Sequence, residues 1–184
     1  MDIIKGIETR RGANLNIKGV PEKILDKTPI ITDYALRPDD FFGTIPKLCI
    51  REGEKVFSGT PIFYNKKNPN IKIVSPVSGT IKSIVRGPKR KIELIIIESS
   101  KKQEFVSHKV DQWDKMDVSL LKALLMESGN WPFIHQRPYG IMANPLDTPK
   151  AIFVTTAKTD PLHEDFDFIL KNDQKEFQLG IDLL

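Results

Sequence analysis

The middle of the chain alternates apolar and polar positions with period two, the spacing of a strand that buries one face. Ile71 and Ile73 flank Lys72, Val77 follows Ser75, and residues 80–85 repeat the alternation. Turn signals interrupt these runs at Glu52-Gly53-Glu54, Ser58-Gly59 and Ser78-Gly79. Lys66-Lys67-Asn68-Pro69-Asn70 reads as a polar hairpin tip, and residues 86–91 as a basic loop. Leu94-Ile95-Ile96-Ile97 has the look of the most buried strand. Strands this short and closely spaced predict a small barrel or sandwich.

The period changes after residue 109. Asp117 is placed to cap a helix over residues 118–128, with Leu120, Leu121, Leu124 and Leu125 as its apolar stripe and Gly129 as its stop. Residues 131–149 read as a long loop. Ala151-Ile152-Phe153-Val154-Thr155-Thr156 predicts a buried strand, and residues 166–170 a second, shorter one. Asn172 or Asp173 then caps a helix that carries Phe177, Ile181 and Leu184 on one face. Residues 1–34 are short and extended, punctuated by Gly12, Gly19 and Pro21, with a β-branched run at Ile30-Ile31-Thr32. Ser99-Ser100-Lys101-Lys102-Gln103-Glu104 reads as a linker. The expected organisation is an extended segment (1–35), a β domain (36–104) and a partial α/β domain (105–184). The chain ends on the apolar side of its last helix, at Leu183-Leu184, so a fragment of a longer protein is expected.

Composition narrows the function. Lys plus Arg number 28 and Asp plus Glu 24, a net charge of +4. That balance excludes a polybasic tail protein and an acidic disordered chain. With one cysteine, Cys49, the chain builds neither a disulfide nor a multi-thiolate metal site within itself, and a reducing compartment fits. No continuous apolar run exceeds four residues, far short of the roughly 20 that span a bilayer. His108, His135 and His163 show no metal-ligand spacing, and no metal is expected. After the 151–156 strand comes Lys158-Thr159-Asp160-Pro161, without the glycines that let backbone approach a pyrophosphate, so no dinucleotide cofactor is expected. Lys82, Arg86, Lys89, Arg90 and Lys91 form a basic hairpin, in which Arg86, Lys89 and Arg90 suit a partner or an anionic membrane surface. No aromatic residues interleave it to stack on bases, so nucleic acid is not expected.

Ile50-Arg51-Glu52-Gly53-Glu54-Lys55-Val56-Phe57-Ser58-Gly59-Thr60-Pro61-Ile62 and Ser75-Pro76-Val77-Ser78-Gly79-Thr80-Ile81 together resemble the biotinyl/lipoyl carrier fold, a barrel-sandwich hybrid. Counting back from Ser75-Pro76 puts the carrier's hairpin tip at Asn68-Pro69, with Lys66 and Lys67 just before it. The carrier lysine is therefore absent or shifted, and a carrier-like domain reused as structure is the expectation.

Longer stretches resemble one family. Leu36-Arg37-Pro38-Asp39-Asp40-Phe41-Phe42-Gly43, Lys66-Lys67-Asn68-Pro69, Val74-Ser75-Pro76-Val77-Ser78-Gly79-Thr80 and Arg86-Gly87-Pro88-Lys89-Arg90 are similar to the A component of the sodium-translocating NADH:quinone oxidoreductases (Na+-NQR). So are Lys18-Gly19-Val20-Pro21, Glu127-Ser128-Gly129-Asn130-Trp131, Arg137-Pro138-Tyr139, residues 148–154 and Thr159-Asp160-Pro161-Leu162, in the same order along the chain. The resemblance implies an α+β protein: a barrel-sandwich hybrid, then the start of a Rossmann-like α/β domain that has lost its flavin site. It implies a peripheral component on the cytoplasmic face of a bacterial inner membrane, with the other subunits of that complex and quinone as partners. Ubiquinone would be a substrate, and flavins and the iron–sulfur centre would belong to other subunits. The family's proteins are longer, so an isolated N-terminal piece is expected to be inactive. Two other readings stay open, a true carrier domain and an assembly module without a ligand.

If the chain touches quinone, residues 131–145 are the expected place. Quinone needs an apolar wall and donors to its carbonyl oxygens. Trp131, Phe133 and Tyr139 offer the wall, and Arg137 and the Tyr139 hydroxyl offer donors. The competing expectation is that these aromatics pack the loop and that Arg137 pairs with a carboxylate.

Overall fold

The computed structural model describes residues 17–19, 22–25, 31–108, 115–156 and 163–184. The backbone divides into two units, Thr28–Ala151 and a second that includes Ile152–Asp182. The expected loop at 158–161 and most of the N-terminal segment lie outside the described residues.

The first unit holds β1 (Asp33–Leu36), β2 (Pro46–Leu48), β3 (Lys55–Val56), β4 (Pro61–Asn65), β5 (Asn68–Val74), β6 (Gly79–Arg86) and β7 (Ile92–Ser99). They make two antiparallel sheets, in the orders β1-β7-β6-β3 and β2-β4-β5. The alternating sequence explains the pairing of faces. Ile81, Ile95 and Ile97 from the first sheet and Ile62 and Phe63 from β4 are fully buried. Ile50, Val56, Ile73 and Ile92 complete the core, and Leu36, Phe41, Leu48, Val77 and Ile84 pack around it. Of the run expected to be most buried, Ile95 and Ile97 are, while Leu94 and Ile96 sit half-buried on the outer side of the same strand. Phe41 meets Phe63 edge to face, with centroids 5.9 Å apart.

Two local devices shape the barrel. Ile81 pairs with Ile97 but Ser83 pairs with Ile96, so Lys82 is one residue more than β7 opposes. Its ammonium lies 2.5 Å from the Asp33 carboxylate on β1. On the other sheet, Lys47, Tyr64 and Lys72 are partners across three neighbouring strands. The two ammonium groups sit 5.7 and 5.3 Å from the Tyr64 ring centre, so one ring serves both cations.

The β4–β5 tip differs from the expectation. Asn65 pairs with Asn68, so Lys66-Lys67 is the two-residue tip and Asn68-Pro69 already belongs to β5. The register shifts between Tyr64 and Asn65, which a residue count back from Ser75 cannot see. The Asn65 side-chain oxygen accepts from the Lys67 amide at 3.1 Å and so closes the turn.

Helix α1 (Val118–Glu127) follows in the same unit and packs against β5. Asp117 caps it as expected, accepting from the Ser119 amide at 3.1 Å. Hydrogen bonds from the Ser119 hydroxyl and amide hold the Asp117 carboxyl below its usual pKa. Leu121, Leu124 and Leu125 turn inward, whereas Leu120, expected in the same stripe, is exposed.

The second unit corrects two expectations. Residues 151–156 form no strand and are exposed, Phe153 most of all at 90%. An isolated β-branched run has no ladder to join, and among the described residues no strand flanks it. Residues 166–170, expected as a strand, instead build α2 (Phe166–Ile169), since the Asp165 side chain caps the Phe168 amide at 3.1 Å. Phe166, Ile169 and Leu170 then fall at i, i+3 and i+4. The last helix, α3 (Gln174–Asp182), forms as expected, with the Asp173 carbonyl accepting from Phe177 at 2.9 Å. Lys23 and Asp165 pair at 2.5 Å within this unit. No helix among the described residues is long and apolar enough to cross a membrane.

The core assignment makes a direct prediction. Phe63→Ala removes a fully buried ring and should cost about 3–5 kcal/mol of unfolding free energy. Leu120→Ala, on the exposed side of α1, should stay within about 0.5 kcal/mol of the parent. Denaturant titration of both checks the assignment, and equal losses would refute it.

Candidate functional site

Residues 99–104, expected as a linker, are a strap tied down at several points. Ser78 is buried, and its hydroxyl accepts from the Ser58 amide at 3.1 Å and the Glu104 amide at 2.8 Å. The same hydroxyl donates to the Glu104 carbonyl. The Ser78 amide donates to the Gln103 side chain at 2.8 Å. Ser58 closes the arrangement, donating to the Glu104 carbonyl at 3.0 Å and accepting from Val106 at 2.8 Å. The strap therefore leaves the barrel as a short parallel bridge between Ser58 and Phe105.

The C-terminus of α1 arrives beside it. Gly129 has φ +80° and sits so close to Val74 that a Cβ there would overlap the valine methyls. Only glycine suits both demands. The Asn130 amide returns to the Leu125 carbonyl at 3.0 Å and turns the chain into residues 131–133.

The expected long loop is in fact a folded hairpin. Trp131 is buried, and its indole N–H donates to the Ala143 carbonyl at 2.8 Å. β8 (His135–Gln136) pairs with β9 (Ile141–Met142), and the Ala143 amide donates to the Ile134 carbonyl at 2.8 Å. Arg137 and Tyr139 occupy the exposed turn, and the Arg137–Pro138 peptide is cis. Trp131 thus packs, Arg137 and Tyr139 face solvent, and the three are not gathered into one pocket.

A cleft of about 450 Å³ opens where strap, turns and loop meet. Its walls are Leu36, Phe41, Ile73, Val74, Phe105, Val106 and Phe133, with Ser58, Ser75, Ser128, Asn130 and His108 as polar groups. Phe105 and Phe133 stand mostly exposed, at 74% and 73%, on the walls of this cleft. Phe133 belongs to the loop singled out from the sequence; Phe105, Asn130 and His108 join the site without having been expected there. A signal for Phe105 exists in the apolar pair Phe105-Val106 directly after a polar run. The Asn130 side-chain amide is oriented by a 2.9 Å bond to the Ser128 hydroxyl. Among the described residues no group of three His, Cys, Asp or Glu is placed to hold a metal.

The barrel matches the family model of the NqrA N-terminal barrel-sandwich hybrid domain over residues 7–100, and residues 116–184 match that of the NqrA second alpha/beta domain. The chain belongs to the NqrA family. Within that family it is 31% identical over 181 residues to the A component of the Na(+)-translocating NADH-quinone reductase of Alcanivorax borkumensis. The corresponding NqrA proteins of Vibrio vulnificus and Neisseria gonorrhoeae are 32% and 33% identical over 180 and 177 residues. These alignments cover 95–97% of the chain and 40% of each relative, so the chain spans about two fifths of their length. In NqrA terms, the cleft takes Phe41, Ile73 and Val74 from the barrel-sandwich stretch and Asn130 and Phe133 from the second stretch.

The packing role of Trp131 can be measured. Trp131→Phe deletes the bond to the Ala143 carbonyl and should cost about 1 kcal/mol. Arg137→Ala on the exposed turn should fall within about 0.5 kcal/mol of the parent. Thermal or urea unfolding of the two variants compares them; a larger loss at Arg137 would show an ion pair holding the turn.

Proposed function

We propose that the chain is part of the NqrA component of a bacterial Na+-translocating NADH:quinone oxidoreductase and takes part in its quinone-reduction step. The complex so assembled oxidises NADH, reduces ubiquinone and moves Na+. The chain belongs at its cytoplasmic face as a peripheral piece, with flavins and the iron–sulfur centre on other subunits. The names of its relatives support membership in such a complex. The observation that carries the quinone step is the cleft, apolar on its walls and polar at a few points, beside two rings left exposed.

A quinone headgroup is a flat ring with carbonyl acceptors at opposite ends, and it prefers aromatic walls with few, aimed donors. Phe105 and Phe133 would cover its faces, and the Asn130 amide and the His108 imidazole would donate to its oxygens. Trp131 serves indirectly, because its bond to Ala143 fixes the loop that carries Phe133. Arg137 and Tyr139 do not line the cleft, so they are the alternative contact pair within the same loop.

Kinetics of full-length NqrA in its complex separate the two. Phe133→Ala and Asn130→Ala should each raise the quinone KM on the order of tenfold, the loss of about 1.4 kcal/mol. Arg137→Ala and Tyr139→Phe should leave KM unchanged, with NADH oxidation by artificial acceptors intact in all four. The reverse pattern moves the site to the exposed turn; no change in any of them removes quinone from this chain and leaves an assembly role.

The tip position of Lys66 and Lys67 favours a second reading, a lipoyl- or biotinyl-type carrier. Intact mass of the protein from its native host should match the unmodified chain. An added acyl mass on either lysine would establish the carrier instead.

A further inference from the structure

We propose that the β6–β7 hairpin tip is a docking element for a carboxylate-bearing protein surface, with Arg86, Lys89 and Arg90 as its contacts. Five cations lie on or beside this hairpin, and the structure sorts them. Lys82 pairs with Asp33 at 2.5 Å and Lys91 with Asp39 at 2.6 Å. Arg86, Lys89 and Arg90 are exposed, and none forms an ion pair with a described residue. The neutralised cations fasten the hairpin to the barrel, and the unneutralised ones gather towards its end.

The backbone there makes a tight hairpin turn, closed by the Lys91 amide donating to the Pro88 carbonyl at 3.2 Å, whose two central positions need positive φ and are usually filled by Asn-Gly. Lys89 and Arg90 have φ 55° and 60°, two consecutive left-handed residues with long side chains. Glycine or asparagine adopts that conformation at far lower cost. The turn is nevertheless well defined. The Gly87 amide donates to the Lys91 carbonyl at 2.8 Å, which holds the two strand ends together. Strain of this kind persists where the side chains it displays are used.

The chemistry selects the partner. Two of the three contacts are arginines, whose planar forks bind carboxylates bidentately. Residues 87–90 offer no aromatic or large aliphatic side chain to enter a lipid headgroup layer or to stack on a base. A shaped, rigid tip suits fixed carboxylates on a folded protein better than a diffuse lipid field.

The proposal rests on the complex membership argued above, and the test separates the two. Full-length NqrA is expressed in its host with an affinity tag, treated with a zero-length carbodiimide that joins amines to carboxylates, and isolated with its complex. Lys89 should be found joined to an Asp or Glu of another protein of the complex. Lys89→Gly with Arg90→Gly relieves the backbone, so melting should be unchanged or higher while co-purification falls at least tenfold. Arg86→Glu with Lys89→Glu should do the same and abolish the cross-link. Wild-type protein that captures no other component overturns both the membership and the docking. Wild-type capture with equal capture by the variants overturns the docking alone. Melting lowered by the glycine pair shows that the side chains hold the fold and overturns it too. Binding to phosphatidylglycerol vesicles that depends on the three residues, without a carboxylate cross-link, assigns the tip to lipid instead.

Discussion

One buried hydroxyl organises the end of the barrel that borders the cleft. Ser78 stands in the turn before β6 and accepts from two backbone amides, those of Ser58 and Glu104. An amide hidden without a partner is costly, and the serine meets part of that demand in both segments, the Ser58 amide sharing its hydrogen with the Glu104 carbonyl. The turn between β3 and β4, the turn before β6 and the strap after β7 thereby share one point. The backbone of Ser58 holds the same strap through Glu104 and Val106, so Phe105 is presented by the two serines together.

The opposite wall depends on steric fit. Gly129 lets the end of α1 come down onto Val74, and the chain then turns so that Trp131 goes inward and Phe133 stays outward. The two walls thus have different origins, a polar network on one side and a glycine-permitted approach on the other. An apolar space between them survives because neither wall is free to collapse across it. Polar side chains at its edge are pre-aimed: Asn130 by Ser128, and the strap by Gln103 and Ser78.

Much of the barrel is legible in the sequence because half-buried strands advertise themselves by alternation, and Ile71, Ile73, Ile81, Ile95 and Ile97 keep that rhythm. The helix at 118–127 is legible from Asp117 and Gly129, which state its ends chemically. Residues 151–156 mislead for the opposite reason: a β-branched run states a preference, and a strand also needs neighbours. Residues 166–170 mislead because their apolar run outshines the Asp165 cap before it. The hairpin tip is displaced by a register shift, an event that leaves no compositional mark. The strap looks like a linker because Gln103 and Glu104 are polar, yet their hydrogen bonds go inward to Ser78 and Ser58. Of the aromatics expected in the 131–145 loop, Trp131 packs while Phe133 and Tyr139 are exposed, a division set by a hairpin that periodicity does not reveal.

The extra residue at Lys82 has a bearing on how this barrel can change over evolutionary time. Side chains on a strand alternate sides, so a gain or loss of one residue ordinarily turns the remainder of the strand inside out. Here the irregularity absorbs one residue, and Ile81 and Ile84 both keep to the core despite their odd spacing. A descendant lacking Lys82 would pair Ser83 with Ile96 and Ile84 with Ile95 in an unbroken ladder, so Ile84 would stay on the core side and the loss would be the ion pair to Asp33. Within the span from Gly79 to Ile84, loss of one residue at Lys82 or Ser83 should therefore be tolerated, whereas loss of Ile81 or Ile84 would take a side chain from the core.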